Sequence, residues 1–323
     1  MTGKHLFLQL GLSAAATALA FAAQSAISGA ADLKVPTVAD FAYAADSPKQ
    51  RLDFWQAKSD KPTPLVVMIH GGGWINGDKD GYKAGDVRPF LEAGISAASI
   101  NYRLIGEAME QKVEPPVKAC LQDAARAVQT LRSKAKEWNI DPTRVGATGS
   151  SAGACTSLWL ALHSDLAEPG SNDPIARQST HFKCVAAFRA QTTLDPIEFR
   201  QWVSNADYGG HAFGYFAPGR TSKQQFEMLL ANREKVLPWI MEYSPIKLAT
   251  NDAPPIYLDY PNQKTPPVLG GPDPAPAHSA LNGLKLAEKL QALGTEIVIS
   301  YPGHEDHKYA SINKFLIEKL TSK

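Results

Sequence analysis

The chain of 323 residues predicts an α/β fold: a mostly parallel sheet covered by helices on both faces. Three observations carry this. Short apolar runs alternate with stretches whose apolar residues recur at 3.6 spacing. The short runs are apolar at almost every position, as strands buried on both faces are. Two glycine-rich turns follow such runs directly: His70-Gly71-Gly72-Gly73-Trp74 and Gly149-Ser150-Ser151-Ala152-Gly153.

The elements follow in order. Lys4 and His5 precede an apolar stretch, LFLQLGLSAAATALAFAAQSA, that ends in small residues. A basic start, an apolar middle and an Ala-x-Ala-like end predict a signal peptide over residues 1–30, cleaved between Ala22 and Ala31. That leaves one domain over 31–323 and a periplasmic or secreted protein. PLVVMIHGG and GISAASINYRL read as strands, and PPVKACLQDAARAVQTLRSKAKEWNI as a proline-started amphipathic helix. RVGATGSSAG is a strand running into a glycine turn, and ACTSLWLALHSDL is a helix apolar nearly all round. KCVAAFRAQ, PPIYLDY and TEIVISYPG are further strands; SALNGLKLAEKLQALG and YASINKFLIEKL are helices. Between about 195 and 244 lies a partly helical insertion rich in aromatic residues. PNQKTPPVLGGPDPAPAH is a Pro/Gly loop.

The formal net charge is +1 with no basic stripe, which gives nucleic acid no footing as a partner. After the leader no stretch is long and apolar enough to span a bilayer, so no stable membrane insertion is expected once it is cleaved. Cys120, Cys155 and Cys184 all sit in apolar patterns and read as buried thiols. Composition says nothing about oligomeric state.

The chemistry centres on Ser151. A G-x-S-x-G between a strand and a helix puts its serine on a sharp, strained turn, hydroxyl raised above the sheet edge. The helix N-terminus beside it adds free N–H groups and partial positive charge. Ser151 is therefore the expected nucleophile, with Ser150 one position off the pattern. Acyl transfer develops negative charge on a carbonyl oxygen, and backbone N–H groups aimed at it are each worth about 3–4 kcal/mol. Gly72, Gly73 and Ala152 are placed to supply them, and glycine lets the substrate approach where a Cβ would hold it off. No Lys-Ser or Lys-Thr pair follows the triple glycine, so a phosphate loop is excluded. His70 reads as a brace of this loop.

These two motifs, with Gly77-Asp78-Lys79, Asn101 to Leu104 and Tyr243 to Ile246, resemble the α/β-hydrolase superfamily. Within it they look most like esterases related to hormone-sensitive lipase and the feruloyl/acetylxylan esterase group. The resemblance runs from about Phe41 to Lys319 and implies an eight-stranded sheet, a triad in the order Ser…Asp/Glu…His, and no cofactor or metal. Of the histidines in the last third, His278, His304 and His307, the resemblance favours His307 in the loop Tyr301-Pro302-Gly303-His304-Glu305-Asp306-His307, with His304 the alternative. For the acid it favours Asp273, 34 residues before His307, with Asp259 the alternative. The expected substrate is a small-molecule or polysaccharide-linked ester: acetylated or feruloylated carbohydrate, or short-chain esters. A serine peptidase or amidase of the same fold, or a catalytically silent binding module, are the rival expectations.

Overall fold

A computed structural model describes residues 35–305 and 308–322; the expected signal peptide, residues 1–30, lies outside them. One eight-stranded sheet organises the chain, in the order β1-β2-β4-β3-β5-β6-β7-β8. The strands are β1 Val38–Ala42, β2 Arg51–Trp55, β3 Thr63–Ile69, β4 Ser96–Ile100, β5 Ile140–Ser150, β6 Cys184–Phe188, β7 Ile256–Asp259 and β8 Ile297–Ser300. From β4 through β3 to β8 every pairing is parallel; β1 and β2 add antiparallel at one edge. The six parallel strands are those the apolar runs predict. β1 and β2 escape that reading because β1 is a half-exposed edge strand and β2 carries Arg51 and Asp53 among its apolar residues.

The two faces show why these strands are apolar throughout. Val66 and Met68 of β3 pack on one side with Val87 and Phe90 of α1 (Ala84–Glu92) and Phe315 and Leu316 of the last helix (Ile312–Thr321). Leu65, Val67 and Ile69 point the other way, onto α3 (Val117–Ser133) and α4 (Ala152–Leu162). A six-residue helix, α2 (Ile105–Glu110), precedes α3. Successive side chains of a strand face opposite sides, so a strand between two helical layers must be apolar at both. α4 is buried over its whole length, as its composition predicts. α3 is shorter than its pattern suggests: it stops at Ser133, and Lys134 to Asn139 form turns leading into β5.

Between β6 and β7 the chain leaves the sheet for α5 (Pro196–Trp202), a 3-10 turn Gly210–Phe213, α6 (Ser222–Ala231), α7 (Arg233–Tyr243) and α8 (Pro245–Leu248). Asp195 caps α5 by accepting from the Ile197 N–H, and its buried carboxylate pairs with Arg233 of α7 at 2.6 Å. Gly210 packs against the backbone of Gln225 so closely that a Cβ there would collide. These ties anchor the insertion. α9 (Leu281–Ala292) follows the Pro/Gly loop and leads to β8. All three cysteines are buried free thiols. Among the described residues no helix is long and apolar enough to cross a membrane, and no three acidic, histidine or cysteine side chains gather as a metal site.

The Gly77-Asp78-Lys79 segment has a structural role. Lys79 is buried, its ammonium 3.0 Å from Asp53 of β2 and 2.9 Å from Asp80. Burial works against that charge, but the hydrogen bonds to Asp80 and Asp53 outweigh it and lift the pKa above the usual lysine value. Asp78 accepts from Lys49 and from Asn101, whose Oδ1 in turn accepts the Lys79 N–H. Lys79→Met should cost about 3–5 kcal/mol, because Asp53 is left charged, buried and without its main partner. Urea denaturation reads this directly; a loss under about 1 kcal/mol would show the pair to be dispensable.

Candidate active site

Ser151 sits where β5 ends and α4 begins, with φ 54° and ψ −118°. That conformation is rarely populated by a residue with a side chain and costs on the order of 1–3 kcal/mol, a strain the surrounding packing must hold. The packing is visible in the flanking glycines. A Cβ on Gly149 would lie 2.7 Å from the Ile69 carbonyl oxygen, and one on Gly153 would lie 2.6 Å from that of His70. Both glycines let α4 start against β3, and the Ser151 N–H is tied to the Phe188 carbonyl at 2.9 Å.

The triple-glycine turn lies alongside. Gly72 and Gly73 have φ of 101° and 63°, and the Gly72 carbonyl accepts from the N–H groups of Ile75 and Asn76. Trp74 is fully buried and donates from Nε1 to Thr156 of α4 at 3.0 Å, joining the turn to the helix that carries Ser151. His70 is a brace, as expected. Its ring stacks on Tyr102 with centroids 4.3 Å apart, its Nδ1 is 2.8 Å from the Gly71 carbonyl, and the Tyr102 hydroxyl donates to the His70 carbonyl. Burial lowers its pKa, against the pull of that carbonyl, which keeps the ring neutral. Gly77 belongs to the same brace: a Cβ at its φ of 111° would run into the His70 ring. Among the described residues the N–H groups of Gly72, Gly73 and Ala152 have no hydrogen-bond partner.

The histidine that meets Ser151 is His278. Its Nε2 is 2.9 Å from the Ser151 Oγ. It ends a 3-10 turn, Pro276–His278, inside the Pro/Gly loop. Burial lowers the His278 pKa, and the positive charge of Arg189 lowers it further, so the imidazole is neutral and able to accept a proton. Arg189, at the end of β6 with φ 50°, donates to the Ser150 Oγ at 3.0 Å.

His304 is not at the site. It pairs its backbone with Tyr301, stacks its ring on that tyrosine, and is exposed. His307 and its neighbour Asp306 lie outside the described residues. Asp273 is buried, but among the described residues its carboxylate meets Gln263 at 3.1 Å and the Ala275 N–H at 2.8 Å, not a histidine. Gln263 in turn accepts the Ala280 N–H, so Asp273 shapes the loop on which His278 stands. Asp259 ends β7 half-buried, its carboxyl pKa raised by burial against a backbone hydrogen bond from Tyr260, and no histidine among the described residues is bonded to it. No carboxylate among the described residues is bonded to His278. His278 lies before the last strand, in a loop with no periodicity, so the resemblance, which looks for the base after that strand, does not point to it.

The insertion reaches this site. The position a Cβ would take on Gly73 is 3.7 Å from the Tyr208 hydroxyl and 3.8 Å from the His211 Nε2.

Comparison with known proteins agrees with this architecture. Residues 52–263 match the family model BD-FAE. Carboxylesterase NlhH of Mycobacterium tuberculosis is 27% identical over 154 residues, 48% of this chain and 43% of that protein. The probable isoprenylcysteine alpha-carbonyl methylesterase ICMEL1 of Oryza sativa subsp. japonica is 29% identical over 161 residues, 48% of this chain and 36% of that one. The chain thus matches less than half the length of these relatives. A truncated carbohydrate esterase from gut microbiota superposes with TM-score 0.65 at 20% identity, covering 90% of this chain and 98% of that one. An acetyl ester-xyloside bifunctional hydrolase from Caldicellulosiruptor lactoaceticus gives 0.59 at 20% identity, over 83% and 86%. At that identity the likeness speaks for the fold. With the family model spanning most of the chain and a strand-turn-helix serine at the sheet edge, this protein belongs to the BD-FAE family and has the α/β-hydrolase fold.

Proposed function

We propose that the protein hydrolyses carboxylic esters through an acyl-enzyme on Ser151. The observation that carries this is the 2.9 Å approach of the Ser151 Oγ to the Nε2 of a half-buried imidazole on an otherwise distant loop. His278 takes the hydroxyl proton as Oγ attacks the ester carbonyl carbon. The resulting oxyanion is held by the N–H groups of Gly72, Gly73 and Ala152. Collapse breaks the carbon–oxygen bond, His278 returns its proton to the departing alcohol, and water activated by the same ring releases the acid. No cofactor is required.

A second reading keeps His307 as the base and Asp273 as the acid. It is favoured by β8, which ends at the same sheet edge as β5, and by the buried Asp273 carboxylate already held by two donors. The substrate class we propose is an acylated carbohydrate or a short-chain ester. Export through residues 1–30 suits the polymeric version, and a mature protein that keeps Met1 would refute export. Fluorophosphonate labelling tests the chemistry. Labelling at Ser151 supports it, and an unlabelled folded protein would make the chain a silent binding module. An amide turned over faster than its matched ester would make it a peptidase or amidase.

Arg189 gives the pH profile a direction. Its charge disfavours the imidazolium of His278, so removing it should raise that pKa. Since only the neutral ring accepts a proton, the acid limb of kcat/KM in Arg189→Gln should move to higher pH. A limb that stays in place would separate His278 from the rate-determining proton transfer.

A further inference from the structure

Next to the glycine turn lie two buried polar atoms that the proposed chemistry does not use. The Tyr208 hydroxyl and the His211 Nε2 are inaccessible to solvent and have no hydrogen-bond partner among the described residues. Buried polar groups are nearly always satisfied, so two orphans side by side call for a ligand or an ordered water. Their rings meet edge to face at 4.7 Å, and the Trp74 ring lies 5.9 Å from that of His211. Both point at Gly73. With Ile75, at 3.9 Å, they bound the space that a side chain on Gly73 would have filled.

We propose that Tyr208 and His211 form a subsite that binds a hydroxyl carried close to the scissile carbonyl, as in a sugar whose free hydroxyl neighbours its ester. The inference rests on the oxyanion role proposed for Gly73. The N–H taken to hold the oxyanion and the vacated Cβ position belong to the same residue, so whatever fills that space lies within a short reach of the carbonyl. An alkyl acid offers no polar atom there and would leave both groups unsatisfied. The phenol of a hydroxycinnamate is at the far end of its ring, beyond such a reach. A carboxylate would need a cation, and burial holds the His211 pKa down at about 4, so the ring is neutral at ordinary pH. A neutral imidazole supplies one donor or one acceptor at Nε2, and a tyrosine hydroxyl supplies either. The ligand that satisfies both is another hydroxyl, which donates once and accepts as well. Gly209, in the left-handed region with φ 111°, turns the chain so that Tyr208 and the Gly210–Phe213 turn face the site together.

The test uses two acetates that differ by one hydroxyl: cyclohexyl acetate and trans-2-hydroxycyclohexyl acetate. Wild type should show a kcat/KM about tenfold higher for the hydroxylated ester, the order of one well-placed hydrogen bond. Tyr208→Phe removes one oxygen and no ring, and should abolish that preference mainly through KM while leaving cyclohexyl acetate within about twofold. His211→Leu should do the same. A wild type without the preference overturns the subsite, absence of turnover of both esters included. So does a preference that survives Tyr208→Phe, which would mean the pair holds only a water. An equal fall on both esters would assign Tyr208 to the oxyanion or to packing instead. Fluorophosphonate labelling of Ser151 in the same samples tells separately whether the proposed esterase chemistry itself has failed.

Discussion

Ser151→Ala is expected to lower kcat for p-nitrophenyl acetate by about 10⁶, leaving the residual rate that oxyanion donors and binding sustain in serine hydrolases. The size of the effect follows from the geometry. Oγ is the atom in contact with His278, and it stands on the strained turn between β5 and α4. The substitution removes one oxygen from a site whose shape is set by Gly149, Gly153 and the Phe188 carbonyl, so melting temperature and circular dichroism should stay near wild type. Ser150→Ala is the control. Its hydroxyl accepts from Arg189 and has no hydrogen bond to Ser151 or His278, so that variant should keep activity within about tenfold. A Ser151→Ala protein that retains a tenth of the wild-type rate would sink the acyl-enzyme.

His278→Ala is expected to fall almost as far, by about 10⁴–10⁶, because nucleophile and base act as one unit and removing either disables both. The loss should appear in kcat with KM little changed, since the ring serves proton transfer and not ground-state binding. His304→Ala should be silent: its ring is exposed and stacked on Tyr301, away from Ser151. His307→Ala belongs in the same experiment. Should that variant carry the loss while His278→Ala keeps its rate, the base is His307, and the triad with Asp273 is the working one. Activity lost in both would place one ring in proton transfer and the other in holding the loops together, and thermal melting separates those two.

How much of this was legible in the chain differs from residue to residue. The six parallel strands announce themselves because burial on both faces forbids polar residues anywhere along them, which leaves unbroken apolar runs such as Leu65 to Ile69. β1 does not, because it is an edge strand half open to water, and β2 does not, because Arg51 and the buried Asp53 interrupt its apolar residues. Ser151, Gly72 and Gly73 were legible because the constraint on them is local. A strained turn and a close backbone approach each demand particular residues at fixed spacing. His70 is legible as a brace only from its place before the nucleophile; the structure supplies the physical reason, since Gly77 must be a glycine to clear its ring.

The site's second half was not legible in this way. His278 lies 127 residues from Ser151, in a loop without periodicity, and nothing in its neighbours' identities marks which histidine turns inward. Arg189, Tyr208 and His211 are likewise ordinary in sequence and distinctive only by what they face. The sequence by itself determined the six parallel strands, the strand-to-helix serine and the glycine turn, since each is dictated by burial or backbone geometry over a few consecutive residues. Only the tertiary structure decided which side chains from the β6 end, the insertion and the Pro/Gly loop surround Ser151. Those placements depend on how whole loops pack across the sheet edge, and no short stretch of chain encodes that.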